Sequence, residues 1–564
     1  VGCSQTIARG LALGELVVLA ACGGGPTPPQ TAAACKTAGG QQIALAVGQY
    51  LSPAPPADAG CLIFPGNPSS TDSIQYLLVP QIATSIEGAN TPFALEGDTL
   101  HAALAAPAVG TLAGGLGVAE QFHDFLRRQE RAHYAALPPA PSGVTRPSVA
   151  LQLGPPVVGS MRAFSVCADL NCSNFQSVTA TAQAVSGHLA VYVDNAAPSG
   201  GLTAAQLDSL ASLFDTTLYA VDTTAFGRES DIDSNTVVVV LMTNVVNKLV
   251  TTQQCTQSGF IAGFFFGFDI DPQYKSNPLS NHGEVFYSIV ADPSGTLSCA
   301  HSASQLTRGI VPRTFVHEFQ HMISYNQHVL LRNGPVQVTW LDEGMSHLAE
   351  ELGGRRFLPG DTTTFLNYVR GGDEYNAYQF LDATDAHYLA FSAGIGTLAE
   401  RGAAWLFVRY LTDQFRTDTS FAATAVFTRS LEQTPLVGGA AIEAATGTPF
   451  ATVDERWMLA NYVSDLPGFT APPELRYTSW NLRVTFASLH VLNDSIFPKV
   501  FPITPPVSAG NAVSLSGTLH AGSGSYALAV QPPSAPGFTL FFSGPSGVAL
   551  PANLTPVLNI IRLR

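Results

Sequence analysis

Hydrophobic and polar positions change period several times along the chain, and each change marks an expected element. Over residues 41–90 apolar and polar positions alternate in short runs such as Gln41–Gly48, Cys61–Pro65 and Ser73–Val79, broken by Pro, Gly and Asn. A period of two between turn residues predicts antiparallel strands, so residues 41–115 read as an N-terminal β-sandwich. From Val118 to Leu137 the spacing becomes helical, with Val118, Phe122, Phe125 and Leu126 on one side and Glu120, Arg127, Arg128 and Arg131 elsewhere. This segment reads as a packed connector rather than a binding element. Pro138, Pro139, Pro141 and Pro147 follow it, and residues 116–156 are assigned as connector helix and Pro-rich linker.

Beyond Val157 strands and helices alternate. His188–Asp194 (HLAVYVD) and Thr236–Thr243 (TVVVVLMT) read as buried strands, with helical spacing over Thr203–Leu218 between them and over Gly402–Phe415 further on. The aromatic stretch Phe260–Phe268 (FIAGFFFGF) could lie beside a substrate cleft, but reads more simply as a buried strand of the core. Residues 157–466 are therefore taken as one α+β domain. After Pro467 the composition returns to Pro, Gly, Ser and β-branched residues, and 467–564 reads as a C-terminal β-sandwich. The expected fold is multidomain, an α+β domain flanked by two β-sandwich domains, in keeping with a length of 564 residues.

Composition narrows the setting. Charged residues make up 12% of the chain, with 51 Gly and 39 Pro, against about 25% charged in an average soluble domain, which suits a turn-rich extracytoplasmic protein. With 26 Lys and Arg against 41 Asp and Glu the net charge is -15, and no basic run or aromatic-plus-Arg stripe occurs, which excludes a nucleic-acid partner. Gly10–Ala21 has the length and apolarity of a signal segment and is too short to span a bilayer. Leu19-Ala20-Ala21-Cys22, followed by GGGPTPPQ, resembles a bacterial lipobox and its tether. Residues 1–21 are thus expected to be removed, Cys22 to carry a lipid that anchors the chain to a membrane, and 22–40 to act as tether; an ordinary signal peptide and a secreted product are the other reading. Six cysteines remain, and proximity in sequence suggests the pairs Cys35–Cys61, Cys167–Cys172 and Cys255–Cys299.

The chemistry is concentrated in two segments. His317-Glu318-Phe319-Gln320-His321 is an H-E-x-x-H motif on an apolar, helix-compatible stretch. Residues four apart lie one above the other on a helix face, so both imidazoles reach one ion, while the intervening Glu318 turns toward its open position. Pro312 suits the first turn of such a helix. Trp340-Leu341-Asp342-Glu343-Gly344-Met345-Ser346-His347-Leu348-Ala349-Glu350-Glu351 reads as a second helix with an acid in its first turn, 21 residues after His321. That separation lets the chain reverse through Asn333-Gly334-Pro335 and return Glu343 to the ion. His317, His321 and Glu343 make three protein ligands with a fourth position open, the composition of a catalytic zinc site.

These two segments resemble the gluzincin metallopeptidases, most closely the hyicolysin-type neutral zinc metallopeptidases. The likeness extends over about Val157–Asp465 and includes Phe226-Gly-Arg-Glu-Ser-Asp-Ile-Asp233 and Asn281-His-Gly-Glu-Val-Phe-Tyr287. It implies a zincin-like domain that hydrolyses peptide bonds of a protein or peptide substrate, with Zn2+ on His317, His321 and Glu343 and with Glu318 as general base. Related enzymes supply a further donor for the oxyanion from a downstream Tyr or His, for which His387, Tyr388, Tyr368, Tyr375, Tyr378 and Tyr410 are candidates. Asp342, Glu350 and Glu351 are candidates to orient a ligand imidazole. His347, one turn after Glu343, reads either as lining the site or as a helix-surface histidine and is left out of the ligand set, and Asp231, Asp233, Asp269 and Asp271 read as solvated turn acids rather than calcium ligands. A non-catalytic surface protein that binds through the same scaffold is the competing reading.

Overall fold

The computed structural model describes residues 36–56, 60–97, 117–136, 154–274, 276–392 and 396–564. The expected signal segment, Cys22 and Cys35 lie outside the described residues, as does the Pro-rich stretch 137–153. Among the described residues no helix is long and apolar enough to cross a membrane.

The two regions expected to form separate β-sandwiches instead build one pair of sheets together. In the first sheet the order is Lys36–Gln42, Gly60–Phe64, Phe538–Ser543, Asn90–Gly97 and Ser514–His520; in the second it is Val507–Ala509, Ala527–Gln531, Ile74–Ile82, Pro556–Arg562 and Tyr50–Leu51. Strands from the two ends of the chain interleave, with Asn90–Gly97 antiparallel to both Ser514–His520 and Phe538–Ser543. Ile74–Ile82 likewise lies between Ala527–Gln531 and Pro556–Arg562. Alternation of side chains turns Leu62, Phe64, Tyr76, Leu78, Phe93, Leu95, Leu540, Phe542, Leu558 and Ile560 into one shared core. Phe64 stacks on Phe538 with centroids 4.4 Å apart. Each half alone would leave apolar strand edges and half a core exposed, which accounts for the pairing of the two.

The central region holds a six-stranded mixed sheet in the order Gly263–Phe265, Val285–Ser288, Val238–Met242, Leu189–Asp194, Phe175–Val185 and Met161–Cys167. Val238–Met242 runs parallel to both of its neighbours, and Gly263–Phe265 forms an antiparallel edge. Helices follow from Val311 to Val463. Phe450–Val463 docks this body on the paired sheets, where Gln81 donates to the buried Asp454 at 2.9 Å and Tyr526 donates to the Met458 carbonyl at 2.6 Å. The segment after Pro467, expected to be β-structure throughout, contains the helix Leu482–Leu492, capped by the Asn481 side chain. Its Val and Thr content masks a buried stripe of Leu482, Phe486 and Leu489 at helical spacing. Cys167–Cys172 and Cys255–Cys299 are bridged, with Cα atoms 4.9 and 6.0 Å apart.

Candidate metal centre and cleft

The H-E-x-x-H segment lies on the helix Val311–Tyr325, with Pro312 in its first turn. Phe315 packs against Phe286 of the sheet, centroids 5.3 Å apart, and Phe319 against Phe214 at 5.2 Å. This apolar contact fixes the rotation of the helix and turns His317 and His321 together toward the opposite side. The chain reverses past Asn333, which has φ +50°, and enters the helix Thr339–Arg355 that carries Glu343. Gly344, the next residue, lets this helix approach Leu398–Phe415 closely, since a Cβ there would fall 2.8 Å from the Ala404 carbonyl oxygen.

The three expected ligands converge. The Nε2 atoms of His317 and His321 are 3.2 Å apart, and Oε2 of Glu343 lies 3.6 Å from His317 Nε2. Two nitrogens about 2.0–2.1 Å from one ion at a tetrahedral angle are separated by about 3.3 Å, so the spacing fits a shared ion. Proton placement strengthens this. His317 Nδ1 is 2.8 Å from Glu350 Oε1, and His321 Nδ1 is 2.9 Å from Asp342 Oδ2. A carboxylate only accepts, so each Nδ1 carries the proton and each Nε2 presents a lone pair. With a proton on each Nδ1, the two Nε2 atoms and the Glu343 carboxylate are the groups left to hold a cation at this range. Oε1 of Glu343 and Oε2 of Glu318 are buried with no hydrogen-bond partner among the described residues, as donors reserved for an ion and its reactant would be.

Electrostatics follow the same arrangement. Burial alone would discharge His317, yet hydrogen bonds to Glu343 and Glu350 outweigh it and hold its pKa up at about 10. Burial, reinforced by Arg127, keeps His321 neutral. Burial also opposes charge on Glu343, but Arg401, 2.5 Å away, together with the two histidines holds it well below the usual carboxylate range. Burial pushes Glu318 up to about 7 against the pull of His317 and Arg127.

A cleft of about 280 Å³ opens beside these groups. Its walls include His317, Glu318, His347 and Glu350, the segment Ser258–Gly263, and Gly371, Gly372, Tyr375 and Asn376. Ala119, Glu120 and His123 of the helix Val118–Ala136 complete it, so the expected inert connector forms part of the site. Its Arg127 also lies 3.8 Å from Asp342, the acid that holds His321. Phe260–Phe268 divides its role: Phe264 and Phe265 are buried in the core, while Phe260, Ala262 and Gly263 face the cleft.

Of the candidate oxyanion donors, Tyr375 lines the cleft. His387 pairs with Glu400, Tyr388 accepts from Asn90, Tyr378 donates to the Lys499 carbonyl and Tyr410 to that of Glu474. Tyr368 lines a separate cavity. Among the candidate orienting acids, Asp342 and Glu350 each hold one imidazole, while Glu351 accepts from Trp405 and Trp480 on the far side of its helix. His347 is not a surface residue: its Nδ1 is 2.9 Å from Asp373 and its Nε2 is buried without a partner among the described residues. The sequence signal for it was its position one turn after Glu343. Arg401 carried no such signal.

No family model matches the chain. It is similar to the neutral metalloprotease ShpI of Staphylococcus hyicus, with 27% identity over 152 residues that cover 27% of this chain and 32% of the relative. The chain thus spans about a third of that curated relative's length, and the homology is distant and partial.

Proposed function

We propose that the chain is a zinc-dependent endopeptidase in which His317, His321 and Glu343 hold the ion and Glu318 is the general base. One observation carries the reading: two imidazoles, each with Nδ1 bound to its own carboxylate, aim their Nε2 lone pairs at one point beside a third carboxylate. Two nitrogens and one oxygen suit zinc better than the oxygen-loving calcium or magnesium. When bound, zinc polarises a carbonyl oxygen and makes water acidic enough to act as a nucleophile near pH 7. Glu318 lies one residue from the first ligand and titrates near neutrality, which suits it to take the proton of attacking water and pass it to the departing amine. His347 and Arg401 supply cationic donors on the cleft wall for the oxyanion.

The substrate backbone is taken up along the sheet edge at Gly263. Phe265, two residues on, directs its carbonyl outward to Arg127, and groups two apart in a strand share an edge. We further propose an extracytoplasmic location, which the two bridged cysteine pairs support, and, from the sequence around Cys22 alone, a lipid on that residue that holds the chain at a membrane.

The test measures metal content and cleavage of an unfolded protein substrate side by side in the unaltered chain and in Glu318→Gln. One zinc per chain is expected in both, with turnover lowered about 10²–10⁴-fold in the variant. Full activity in a verified Glu318→Gln protein ends this mechanism. Zinc in both without cleavage in either favours the binding-scaffold reading.

A further inference from the structure

Away from the cleft, a second group of acids faces inward. Asp231, Asp233 and Glu284 each offer a carboxylate oxygen, and these atoms all lie within 4.8 Å of one another. Asp231 and Asp233 precede the strand Val238–Met242, and Glu284 immediately precedes its parallel neighbour Val285–Ser288. Two segments far apart in sequence are thus brought side by side by strand pairing. Asp233 and Glu284 are buried, the latter with 1% of its surface exposed. Two donors occupy Oε1 of Glu284: the Ser230 hydroxyl at 2.6 Å and the Ile232 N–H at 3.0 Å. Its Oε2 is buried and has no hydrogen-bond partner among the described residues.

Arg162 acts on Asp233 through space, while its guanidinium donates to the Asn281 carbonyl at 2.5 Å. Asp231, Asp233 and Asn235 occupy alternate positions, the side-chain spacing with which calcium loops begin. Asp269 and Asp271 do not join them: Asp269 accepts from Tyr287 and Asp271 from Tyr325.

We infer that Asp231, Asp233 and Glu284 form a structural calcium site, separate from the metal centre on the H-E-x-x-H helix. All-oxygen donors select a hard cation, and carboxylates drawn from two separate segments suit the flexible, many-oxygen coordination of calcium better than magnesium, which demands near-ideal octahedral geometry and keeps several waters. The loop so clamped is the one that supports the end of the metal-binding helix. The Arg228 carbonyl accepts from Asn326 Nδ2 at 2.8 Å and Gln327 Nε2 at 2.6 Å, the two residues that follow Tyr325. Calcium therefore acts by stiffening the scaffold behind His317 and His321, with no part in the chemistry.

The experiment uses the full chain with its zinc content measured throughout. Calcium bound per chain is determined by equilibrium dialysis, and thermal melting is followed in calcium-free buffer, with calcium and with magnesium. The unaltered chain is expected to bind one calcium and to melt a few degrees higher with it, and to respond little to magnesium. Glu284→Gln is expected to lose that equivalent and the shift. Asp231→Asn, on the exposed side of the cluster, keeps the test decisive if the buried variant fails to fold, and is expected to weaken calcium binding at least tenfold with zinc retained. Absence of calcium binding by the unaltered chain, or undiminished binding in Asp231→Asn, overturns the inference. Neither result bears on zinc or peptide hydrolysis, so the two readings stand or fall separately.

Discussion

Arg401 Nη1 lies 2.5 Å from Oε2 of Glu343, although 58 residues separate them. Both side chains are buried, so the arginine offsets the charge of a carboxylate in a place water does not reach, while Oε1 stays without a hydrogen-bond partner among the described residues. Removing one partner of a buried pair leaves an uncompensated charge. Arg401→Ala is expected to lower the stability of the metal-free chain by about 3–5 kcal/mol, and by less when zinc supplies the missing positive charge. Urea unfolding with and without zinc checks this; equal losses in both forms would show that Arg401 supports the fold rather than the ion site.

Glu350 and Asp342 divide the orientation of the two histidines between them. Glu350→Ala and Asp342→Ala are each expected to weaken metal binding about 10–100-fold. Chelator competition at fixed pH measures the change. Glu351→Ala, whose acid faces Trp405 and Trp480 instead, is the control: it should lose stability while its metal affinity stays near that of the unaltered chain.

Gly402 sits where the helix Leu398–Phe415 crosses Tyr375–Asp382, and a Cβ there would fall 2.1 Å from the backbone carbon of Asn376. Backbone cannot yield as a flexible side chain can, so Gly402→Ala must push the helices apart. A loss of about 1–3 kcal/mol is expected, together with weaker zinc binding, because the displaced helix carries Arg401. Unchanged melting of this variant would show that the two helices do not pack this closely.

Glu374 is pushed from 4.5 up to about 7 by burial, against the pull of Arg370. Between about pH 4.5 and 7 the folded chain therefore keeps a proton here that the unfolded chain has lost, so this group makes stability fall as pH rises through that window. Above it the full penalty applies, on the order of 3 kcal/mol. Glu374→Gln is expected to match the unaltered chain near pH 4 and to exceed it near pH 8. Urea midpoints of both proteins across this range are the measurement, and a constant offset between them would rule out the titration as the cause.

The spacing of His317, Glu318 and His321 already specified one face of a helix, because the α-helical repeat brings positions four apart into register whatever surrounds them. Glu343 on Thr339–Arg355 was legible in the same way, since helix phase again sets where it points relative to Trp340 and Leu341, although the helix starts at Thr339 and its first-turn acid is Asp342. The roles of Glu350 and Asp342 were readable as candidates but not as assignments. Which acid meets which imidazole depends on the packing angle between two helices, and no local pattern encodes it.

Other features lay beyond any local pattern. Glu120 and His123 look like the polar face of an amphipathic connector until the helix Val118–Ala136 is placed against the cleft. Glu284 has no partner in its own segment; only the parallel pairing of Val285–Ser288 with Val238–Met242 brings it to Asp231 and Asp233.

By itself, then, the sequence indicated many of the strands and helices, though not the helix Leu482–Leu492, offered a set of candidate metal donors, and showed that residues 41–90 and the last part of the chain would each contribute β-structure. The tertiary structure alone decided that these two ends make one paired set of sheets. A period of two states which face of a strand is buried and nothing about its neighbour. The choice of partner comes from core shape and edge hydrogen bonding between Asn90–Gly97 and Ser514–His520, and between Ile74–Ile82 and Pro556–Arg562, segments whose distance along the chain hides their contact.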